Sequence, residues 1–257
     1  MSDSVTAFHG KTALITGAGQ GIGREIARQL VEAGARVYLN DEDGHLAARA
    51  ASAISPTGAC IPLVGDASDV DFIGQMVTRV VEREGRLDMA IANAGITLFG
   101  GFFQYQASDF DRVMAVNQRG TFFLAQQAVL QMRKQSAGGS LLFLSSVTAH
   151  QAHENLAAYG MSKAAVELLA RNLVAELAGL PINVNCLAPG ATLTERTLTD
   201  ADYLSTWSRI TPSGRPAQVG DIAAAALFLL SPAARHVTGQ RLIIDGGWTA
   251  MSPSPYP

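Results

Sequence analysis

Cysteine is scarce in this sequence, and clusters of metal-binding side chains are missing. The 257 residues include two cysteines, Cys60 and Cys186, and each lies within an apolar stretch. The five histidines are dispersed, and the close pair His150 and His153 has no third ligand nearby. A disulfide framework or a zinc site needs more ligands at closer spacing. We therefore expect no metal and interpret both cysteines as small core residues.

Long apolar runs and clusters of basic residues are also missing. No apolar run approaches the ~20 residues that a membrane-spanning helix needs. Met1 to Gly10 lacks the basic and apolar segments of a secretory leader. The net charge is −3, with scattered Lys and Arg residues, which argues against a surface for nucleic acid or an anionic membrane. The sequence indicates a soluble cytoplasmic protein that acts on small molecules.

Hydrophobic residues, in contrast, make up 48% of the chain and charged residues only 16%. This balance favours one large, well-buried domain over residues 1–257. Short apolar runs alternate with longer amphipathic stretches, which is typical of alternating strands and helices. The predicted strands are 11–16, 37–40, 59–64, 87–92, 140–144, 182–187 and 241–244. The predicted helices are 22–33, 44–54, 69–83, 107–134, 157–177 and 219–230.

The alternation predicts an α/β fold of the doubly wound, Rossmann type, with a seven-stranded parallel sheet and helices on both faces. Two segments fall outside the pattern: the long polar stretch 191–216 and the tail 248–257. A long insertion after a strand is typical of a lid or a binding loop. We predict that residues 191–216 form a substrate lid.

A glycine-rich turn follows the first predicted strand, Thr16-Gly-Ala-Gly-Gln-Gly-Ile-Gly23. Between a strand and a helix, such glycines let a pyrophosphate approach the N–H groups of the helix N-terminus. The strict G-x-G-x-x-G spacing fails, because Ile22 occupies the position of the third glycine. A tight turn without a ligand is the alternative interpretation.

The second predicted strand ends in three acidic residues, Asp41, Glu42 and Asp43. A carboxylate about 20 residues beyond the glycines can accept hydrogen bonds from an adenosine ribose, and it repels a 2′-phosphate. We therefore favour NAD over NADP, with Asp41 on the ribose. Glu42 and Asp43 fit the start of the next helix, whose dipole favours acidic side chains.

Tyr159 and Lys163 are spaced i and i+4 in a predicted helix, so they share one face. A cation beside a phenol favours the phenolate, which is the form that accepts a proton. The spacing alone is also typical of an ordinary solvated helix face. The surrounding motifs decide between the two interpretations.

These motifs together resemble the short-chain dehydrogenase/reductase family over nearly the whole chain. The matching segments are Thr16-Gly-x-x-x-Gly-x-Gly23, Asn93-Ala-Gly95, Ser146, Tyr159-x-x-x-Lys163, Pro189-Gly190, Gly214-Arg-Pro216, Asp221-Ile-Ala223, Thr238-Gly-Gln240 and Asp245-Gly-Gly247. Their order makes the resemblance specific, whereas no single motif does.

The resemblance implies a catalytic role for Ser146, Tyr159, Lys163 and Asn117. Tyr159 would be the general acid/base, Lys163 would assist it and hold the nicotinamide ribose, and Ser146 would hydrogen bond the reacting oxygen. Asn117 would support a proton path to Lys163, or else only brace a helix kink.

The resemblance also implies a set of residues that bind the cofactor. They are Gly17, Gln20, Gly21, Ile22, Gly23, Asp41, Asp66, Ala67, Asn93, Ala94, Gly95, Tyr159, Lys163, Pro189, Gly190, Thr192 and Thr194. Asp66 would contact the adenine, although it and Asn93 are also ordinary turn formers.

The implied activity is NAD-dependent oxidation of a secondary alcohol, or reduction of the matching ketone. The loop from Ser146 to Tyr159 is polar where the family commonly has small residues, and such residues could hydrogen bond a hydroxylated substrate. The predicted lid pairs polar residues such as Thr194 and Arg196 with apolar ones such as Leu198, which favours a small alcohol with several oxygens, such as a sugar or polyol. A steroid or an aromatic alcohol stays open. Thr97, His150 and Asn155 are the candidate substrate contacts, although a merely solvent-facing loop is the alternative.

Two other functions stay open. One is reduction of 3-oxoacyl groups on acyl-carrier protein, which the absence of charge at Ala175, Gly179 and Leu180 disfavours. The other is a non-catalytic NAD-binding sensor or structural protein. The family resemblance further implies a homotetramer that packs through the helices 107–134 and 157–177.

Overall fold

Seven parallel strands form the centre of this computed structural model, which describes residues 8–251. With a separate two-stranded pair, the strands in this range are β1 (Thr12–Ile15), β2 (Arg36–Asp41), β3 (Cys60–Val64), β4 (Met89–Ala92), β5 (Gly139–Leu144), β6 (Ile182–Pro189), β7 (Thr192–Leu193), β8 (Ala217–Gln218) and β9 (Arg241–Ile244). The main sheet has the order β3-β2-β1-β4-β5-β6-β9, and β7 pairs separately with β8. All seven predicted strands are confirmed. Of the predicted tail, residues 252–257 lie outside the described range, as do residues 1–7.

Helices cover both faces of the sheet. They are α1 (Gly21–Glu32), α2 (Gly44–Ile54), α3 (Val70–Glu84), α4 (Ala107–Met114), α5 (Thr121–Met132), α6 (Ala157–Glu176), α7 (Tyr203–Ile210) and α8 (Val219–Leu230). Asp43 and Asp69 cap α2 and α3, because each carboxylate accepts two N–H groups of the first turn. The helix that ends at Glu84 is followed by Gly85 at φ +73°, a left-handed position that favours glycine.

Two apolar cores lie on opposite faces of the sheet. One joins α1, α2 and α8 to the sheet, and the other joins α3, α5 and α6 to it. Strand β1 serves both cores, because Ala13 and Ile15 pack into the first and Leu14 into the second. A parallel sheet buried on both faces needs apolar residues at successive positions, as β1 has. The predicted doubly wound fold is confirmed.

The long helix predicted over 107–134 is interrupted, so that prediction is wrong in one respect. A π-helical segment, 115–120, separates α4 from α5. No proline marks the break, and apolar periodicity continues through it. Gly120 lies so close to the Ala67 carbonyl that a Cβ would not fit there. The interruption therefore follows from a contact with a residue distant in sequence, and π segments of this kind are frequent at functional sites.

The segment 191–216 contains more regular structure than the sequence indicated. The parallel pair β7 and β8 brackets it, and α7 lies inside it. Polar residues between the elements concealed the helix. We call residues 191–216 the lid.

The order of the strands creates a crevice between β1 and β4. From β1 the chain builds outward to β3, then crosses back to β4 and builds outward on the other side. In doubly wound sheets, ligands bind outside the carboxyl ends of the strands at this point of reversal. Within residues 8–251 no helix combines the length and apolarity needed to cross a membrane.

Candidate active site

A cleft opens at the carboxyl ends of the strands and consists of two adjoining cavities. The outer cavity has a volume of about 570 Å³ and the inner one about 180 Å³. Both are lined in part by the same residues: Ile22, Asn93, Gly95, Thr97, Thr194 and Arg196. Predicted site residues that line only the outer cavity are Gly17, Gln20, Gly21, Asp41, Asp66, Ala67 and Ala94. Those that line only the inner cavity are Ser146, Tyr159, Lys163, Pro189, Gly190 and Thr192.

The glycine-rich turn is bound to the turn that follows β4. Gly17 has φ +59°, and a Cβ there would lie 2.7 Å from the Ala94 Cα. The Asn93 side-chain amide donates to the carbonyls of Thr16 at 2.9 Å and Gly17 at 2.6 Å. The Thr16 hydroxyl accepts the N–H groups of Asn93 and Ala94, each at 3.2 Å. Gly23 lies behind the turn against the Asn93 amide, so it allows close packing and does not line the cleft.

Two carboxylates line the outer cavity. Asp41 ends β2, and its Oδ2 accepts the Gly19 N–H at 2.9 Å, while its Oδ1 accepts the Asp43 N–H at 3.1 Å. The Asp66 carboxylate accepts the N–H of Ser68 at 2.7 Å and the hydroxyl of Ser68 at 2.9 Å. Both carboxylates are thereby held in fixed orientations at the edge of the cavity.

Tyr159 and Lys163 lie one turn apart on α6, which confirms the predicted shared face. The Lys163 Nζ is 5.7 Å from the centroid of the Tyr159 ring. Only 4% of Lys163 is exposed, and its Nζ donates to the Leu144 carbonyl at 2.7 Å. An ammonium has three donors, so this bond to the end of β5 leaves two for other partners in the inner cavity.

Ser146 and Asn117 approach α6 from two other elements. Ser146 begins the short 3₁₀ turn 147–149, where its Oγ accepts the Thr148 N–H at 3.3 Å. Asn117 is buried in the π segment, and its side chain accepts the Ile96 N–H at 2.8 Å and donates to the Ile96 carbonyl at 3.0 Å. It also donates to the Ser162 hydroxyl at 2.9 Å. Asn117 therefore joins the loop after β4 to α6, but it does not itself line either cavity.

The chain that follows β6 folds back over the inner cavity. Pro189 ends β6, and the Thr192 hydroxyl donates to the Gly190 carbonyl at 3.0 Å. The Thr194 N–H donates to the Thr197 hydroxyl at 2.8 Å. These bonds within the lid fix its first turn next to the cleft.

Of the three predicted substrate contacts, Thr97 lines both cavities, whereas His150 and Asn155 line neither. The His150 Nδ1 lies 3.8 Å from the buried carboxylate of Glu167. Asn155 adopts φ +61°, and its carbonyl accepts the Gly100 N–H at 3.0 Å. The polar character of their loop suggested these two residues, and a substrate contact by either stays a prediction.

An aromatic cluster beside the inner cavity is the main feature that the sequence did not reveal. The Tyr203 hydroxyl in the cavity lining accepts the Thr192 N–H at 3.1 Å, and burial raises the pKa of Tyr203. The Trp207 ring lies 6.0 Å from Tyr203 and 5.2 Å from Trp248, which lies 5.1 Å from His153. Burial lowers the pKa of His153. The i, i+4 spacing of Tyr203 and Trp207 was the only local signal.

Both cysteines are buried core residues, as the sequence predicts. Burial raises the pKa of the Cys60 thiol to about 12, so this thiol stays protonated and unreactive at neutral pH. In the part of the chain from residue 8 to 251, no group of three or more His, Cys, Asp and Glu side chains is arranged to hold a metal ion.

Comparison with known proteins gives consistent matches. A family model described as enoyl-(acyl carrier protein) reductase matches residues 17–249. Galactitol 2-dehydrogenase (L-tagatose-forming) from Cereibacter sphaeroides is 37% identical over 251 residues, covering 96% of this chain and 98% of that protein.

Solved structures match equally well. A gluconate 5-dehydrogenase from Burkholderia cenocepacia, in complex with NADP and tartrate, has a TM-score of 0.90 at 32% identity and covers 98% of this chain and 100% of that one. A 3-ketoacyl-(acyl-carrier-protein) reductase from Brucella melitensis, complexed with NADH, has a TM-score of 0.89 at 31% identity. The match covers 94% of this chain and 99% of that one. These matches establish that the chain belongs to the short-chain dehydrogenase/reductase family. The order of the sheet, the glycine turn and the cavity lined by Ser146, Tyr159 and Lys163 agree with this assignment.

Proposed function

We propose that this protein is an NAD-dependent oxidoreductase that interconverts a secondary alcohol and a ketone on a small hydroxylated substrate such as a sugar or polyol. The observation that carries the proposal is the inner cavity, where Ser146, Tyr159 and Lys163 line one wall. This cavity continues into the outer one, at whose edge Asp41 lies. A dinucleotide that spans both would bring its nicotinamide next to Tyr159.

The outer cavity fits the adenosine and pyrophosphate half of such a cofactor. Close contacts of Gly17 with Ala94 leave no room for a side chain, so the backbone of the turn stays accessible from the cleft. The N–H groups that begin α1 face an anion-binding position. The Asp41 carboxylate is suited to the ribose hydroxyls of NAD and repels the 2′-phosphate of NADP. Pro189, Gly190, Thr192 and Thr194 would border the nicotinamide.

A bound nicotinamide dinucleotide supplies the hydride acceptor for oxidation, or the donor for reduction. In the oxidation direction the phenolate oxygen of Tyr159 takes the proton of the substrate hydroxyl and becomes the phenol. In reduction the same oxygen gives a proton to the carbonyl oxygen. The Ser146 Oγ donates a hydrogen bond to that oxygen and orients it. The ammonium of Lys163 lies 5.7 Å from the centroid of the Tyr159 ring, which places a cation beside the proton-transferring group.

Asn117 acts here as a positioning residue. Its amide holds Ile96 in the loop after β4 and Ser162 in α6, and so fixes the distance between the two walls of the cleft. A proton path through Asn117 to Lys163 would start from these same contacts, and it stays a prediction.

The relatives favour a hydroxylated substrate. Galactitol 2-dehydrogenase and gluconate 5-dehydrogenase both take their names from polyhydroxylated compounds. Thr97 and the lid residues Arg196 and Thr197 line the inner cavity and offer it polar groups. These groups suit a substrate with several oxygens.

Reduction of a 3-oxoacyl thioester is the second candidate, and one observation favours it. Phe99, Phe102 and Phe103 are 73%, 80% and 92% exposed in the loop that follows Thr97. This loop is hydrogen bonded to Asn155, close to the start of α6. Exposed aromatic rings near the cleft suit an acyl chain better than a polyol.

A substrate panel separates the candidates. We expect that purified enzyme oxidises a polyol or sugar acid with NAD, and that NADP is at least about tenfold poorer in kcat/KM because of the charge on Asp41. The readout is the absorbance of reduced nicotinamide. Turnover confined to NADPH and a 3-oxoacyl thioester would contradict the proposal and support the second candidate. NADH binding without turnover of any alcohol or ketone would support the non-catalytic sensor.

We also propose that the protein is a cytoplasmic homotetramer that consists of one domain per chain. Apolar side chains are exposed on the outer faces of α5 and α6, where Phe122, Leu130, Met161 and Leu168 are 45%, 37%, 57% and 49% exposed. Exposed apolar surface on two neighbouring helices is typical of a subunit interface. Sedimentation velocity at micromolar concentration should give the mass of four chains, and a monomer would contradict this assembly.

A further inference from the structure

One lid residue, Glu195, binds the N-terminus of α1. Its Oε2 accepts the Gly21 N–H at 2.9 Å, and its Oε1 lies 3.6 Å from the Arg24 guanidinium. The neighbouring Thr194 methyl would lie 3.5 Å from a Cβ at Gly21, so the lid covers the glycine turn at this point. The contact joins residues that are 174 positions apart in the chain.

The first turn of α1 lacks a cap of its own. Gln20 precedes the helix but its side chain accepts no hydrogen bond, and the first turn contains no acidic residue. By contrast, α2 and α3 are capped by Asp43 and Asp69. The unpaired N–H groups at a helix start attract an anion. Glu195 therefore supplies from the lid the acceptor that the helix lacks locally.

A dinucleotide needs the same position. The pyrophosphate of NAD binds where the glycine turn meets the N-terminus of the following helix. The Gly21 N–H has one hydrogen to donate, and a pyrophosphate adjacent to the Glu195 carboxylate would bring like charges together. The carboxylate and the cofactor therefore compete for one donor.

The rest of the lid is attached independently of Glu195. The Tyr203 hydroxyl accepts the Thr192 N–H, and Trp207 packs its ring against Trp248. Release of Glu195 therefore breaks the contact of the lid with α1 while α7 keeps its aromatic contacts.

We propose that Glu195 is a latch that closes the lid over the glycine turn in the free enzyme and that the incoming dinucleotide must displace. The proposal rests on the dinucleotide binding set out under Proposed function. The latch lowers the affinity for cofactor, because each binding event first breaks the bonds to Gly21 and Arg24. It also couples the cofactor to the lid, so that the cleft opens when the pyrophosphate arrives.

Glu195→Gln tests the latch, because it removes the charge and keeps the shape. The side chain is half exposed, so the substitution leaves the core intact. The chain has two tryptophans: Trp207 packs against Tyr203 in the lining of the inner cavity, and Trp248 packs against Trp207. Energy transfer from them to bound NADH reports binding directly, without turnover. We expect the variant to bind NADH about tenfold more tightly, the scale of a charge at a helix N-terminus, and to associate faster in stopped flow.

Glu32→Gln is the matched control, since it removes the same charge from the far end of α1, where Glu32 is exposed and pairs with Arg28. This variant should bind NADH as the unmodified enzyme does. Glu195→Ala should bind more tightly, like Glu195→Gln, and thermal melting checks that each variant is folded. Equal NADH affinity of Glu195→Gln and the unmodified enzyme would overturn the latch and leave the proposed function intact. Weaker binding would overturn it as well and make Glu195 a cofactor ligand. Failure of every variant to bind NADH or NADPH would remove both proposals.

Discussion

The outer cavity is lined by the turns that follow β1, β2, β3 and β4 and by lid residues such as Glu195. The inner cavity is lined by the chain after β5 and β6, by α6, and by Tyr203 of α7, whose ring begins an aromatic cluster. In the outer cavity the decisive contacts are main-chain hydrogen bonds and carboxylates at strand ends, such as Asp41 on Gly19. Behind Tyr203 in the lining of the inner cavity, Trp207 of the lid meets Trp248, 41 positions later in the chain. The first kind of wall consists mostly of backbone turns at strand ends, and the second depends more on side chains that only the fold brings together. We infer that the outer cavity sets the choice of cofactor and that the lid side sets the choice of substrate.

Among changes that test the division between the two cavities, the largest expected effect concerns Asp41. Asp41→Ser should lower the preference for NAD over NADP by about 10²-fold in kcat/KM, because it removes a charge that repels the 2′-phosphate. The KM of the alcohol substrate should stay unchanged if the two sides of the cleft act separately. Initial rates with both cofactors give the ratio.

The matched control for this change is Glu82→Ser on the exposed side of α3, outside both cavities. Glu82→Ser changes the net charge by the same amount as Asp41→Ser. It should leave the ratio of kcat/KM with NAD to kcat/KM with NADP unchanged. If Asp41→Ser changed the substrate KM as well as the preference between NAD and NADP, this result would contradict the inference that the two cavities act separately.

A smaller effect is expected on the lid side. Trp207→Ala removes two aromatic contacts, to Tyr203 and Trp248, and should raise the substrate KM about tenfold. The dissociation constant of NADH should hardly change, since α7 does not line the outer cavity. Trp207→Phe keeps an aromatic ring, so its substrate KM should lie between those of the unmodified enzyme and Trp207→Ala. Loss of NADH affinity in proportion to the rise in KM would show that the lid serves the cofactor and the substrate alike.

The smallest effect concerns pH. Burial lowers the pKa of His153, which packs on Trp248, and its Nε2 is buried without a hydrogen-bond partner. Because the pKa is lower in the folded state, the unfolded chain binds the proton more readily, and stability falls as the pH drops below about 6.5, the ordinary value for histidine. The free energy of unfolding should therefore be slightly lower at pH 5.5 than at pH 7.5.

His153→Phe keeps a ring against Trp248 and removes the titrating group. Urea denaturation at the two pH values should show a smaller difference for this variant than for the unmodified protein. An unchanged difference would assign the pH dependence to other groups.

The same contrast explains what the sequence could predict. The strands, the doubly wound sheet and the glycine turn follow from local patterns, because apolar periodicity and turn residues act over a few positions. The shared face of Tyr159 and Lys163 follows from their spacing once α6 is assigned, whereas their proposed role needed the surrounding motifs. The π segment, α7 and the orientation of His150 depend on contacts between distant residues, such as Gly120 with Ala67 and His150 with Glu167. Such contacts leave no periodic signal in the sequence.

The central claim is that Tyr159 transfers the proton in a cavity that holds the nicotinamide. The most direct measurement compares kcat and NADH affinity for Tyr159→Phe, with Tyr203→Phe as a control that removes another hydroxyl from the same cavity lining. We expect kcat of Tyr159→Phe to fall by at least about 10²-fold while NADH still binds, the usual scale for a positioned acid or base. Tyr203→Phe should keep most of its activity. A Tyr159→Phe enzyme with an undiminished kcat would contradict the assignment of Tyr159 as the general acid/base.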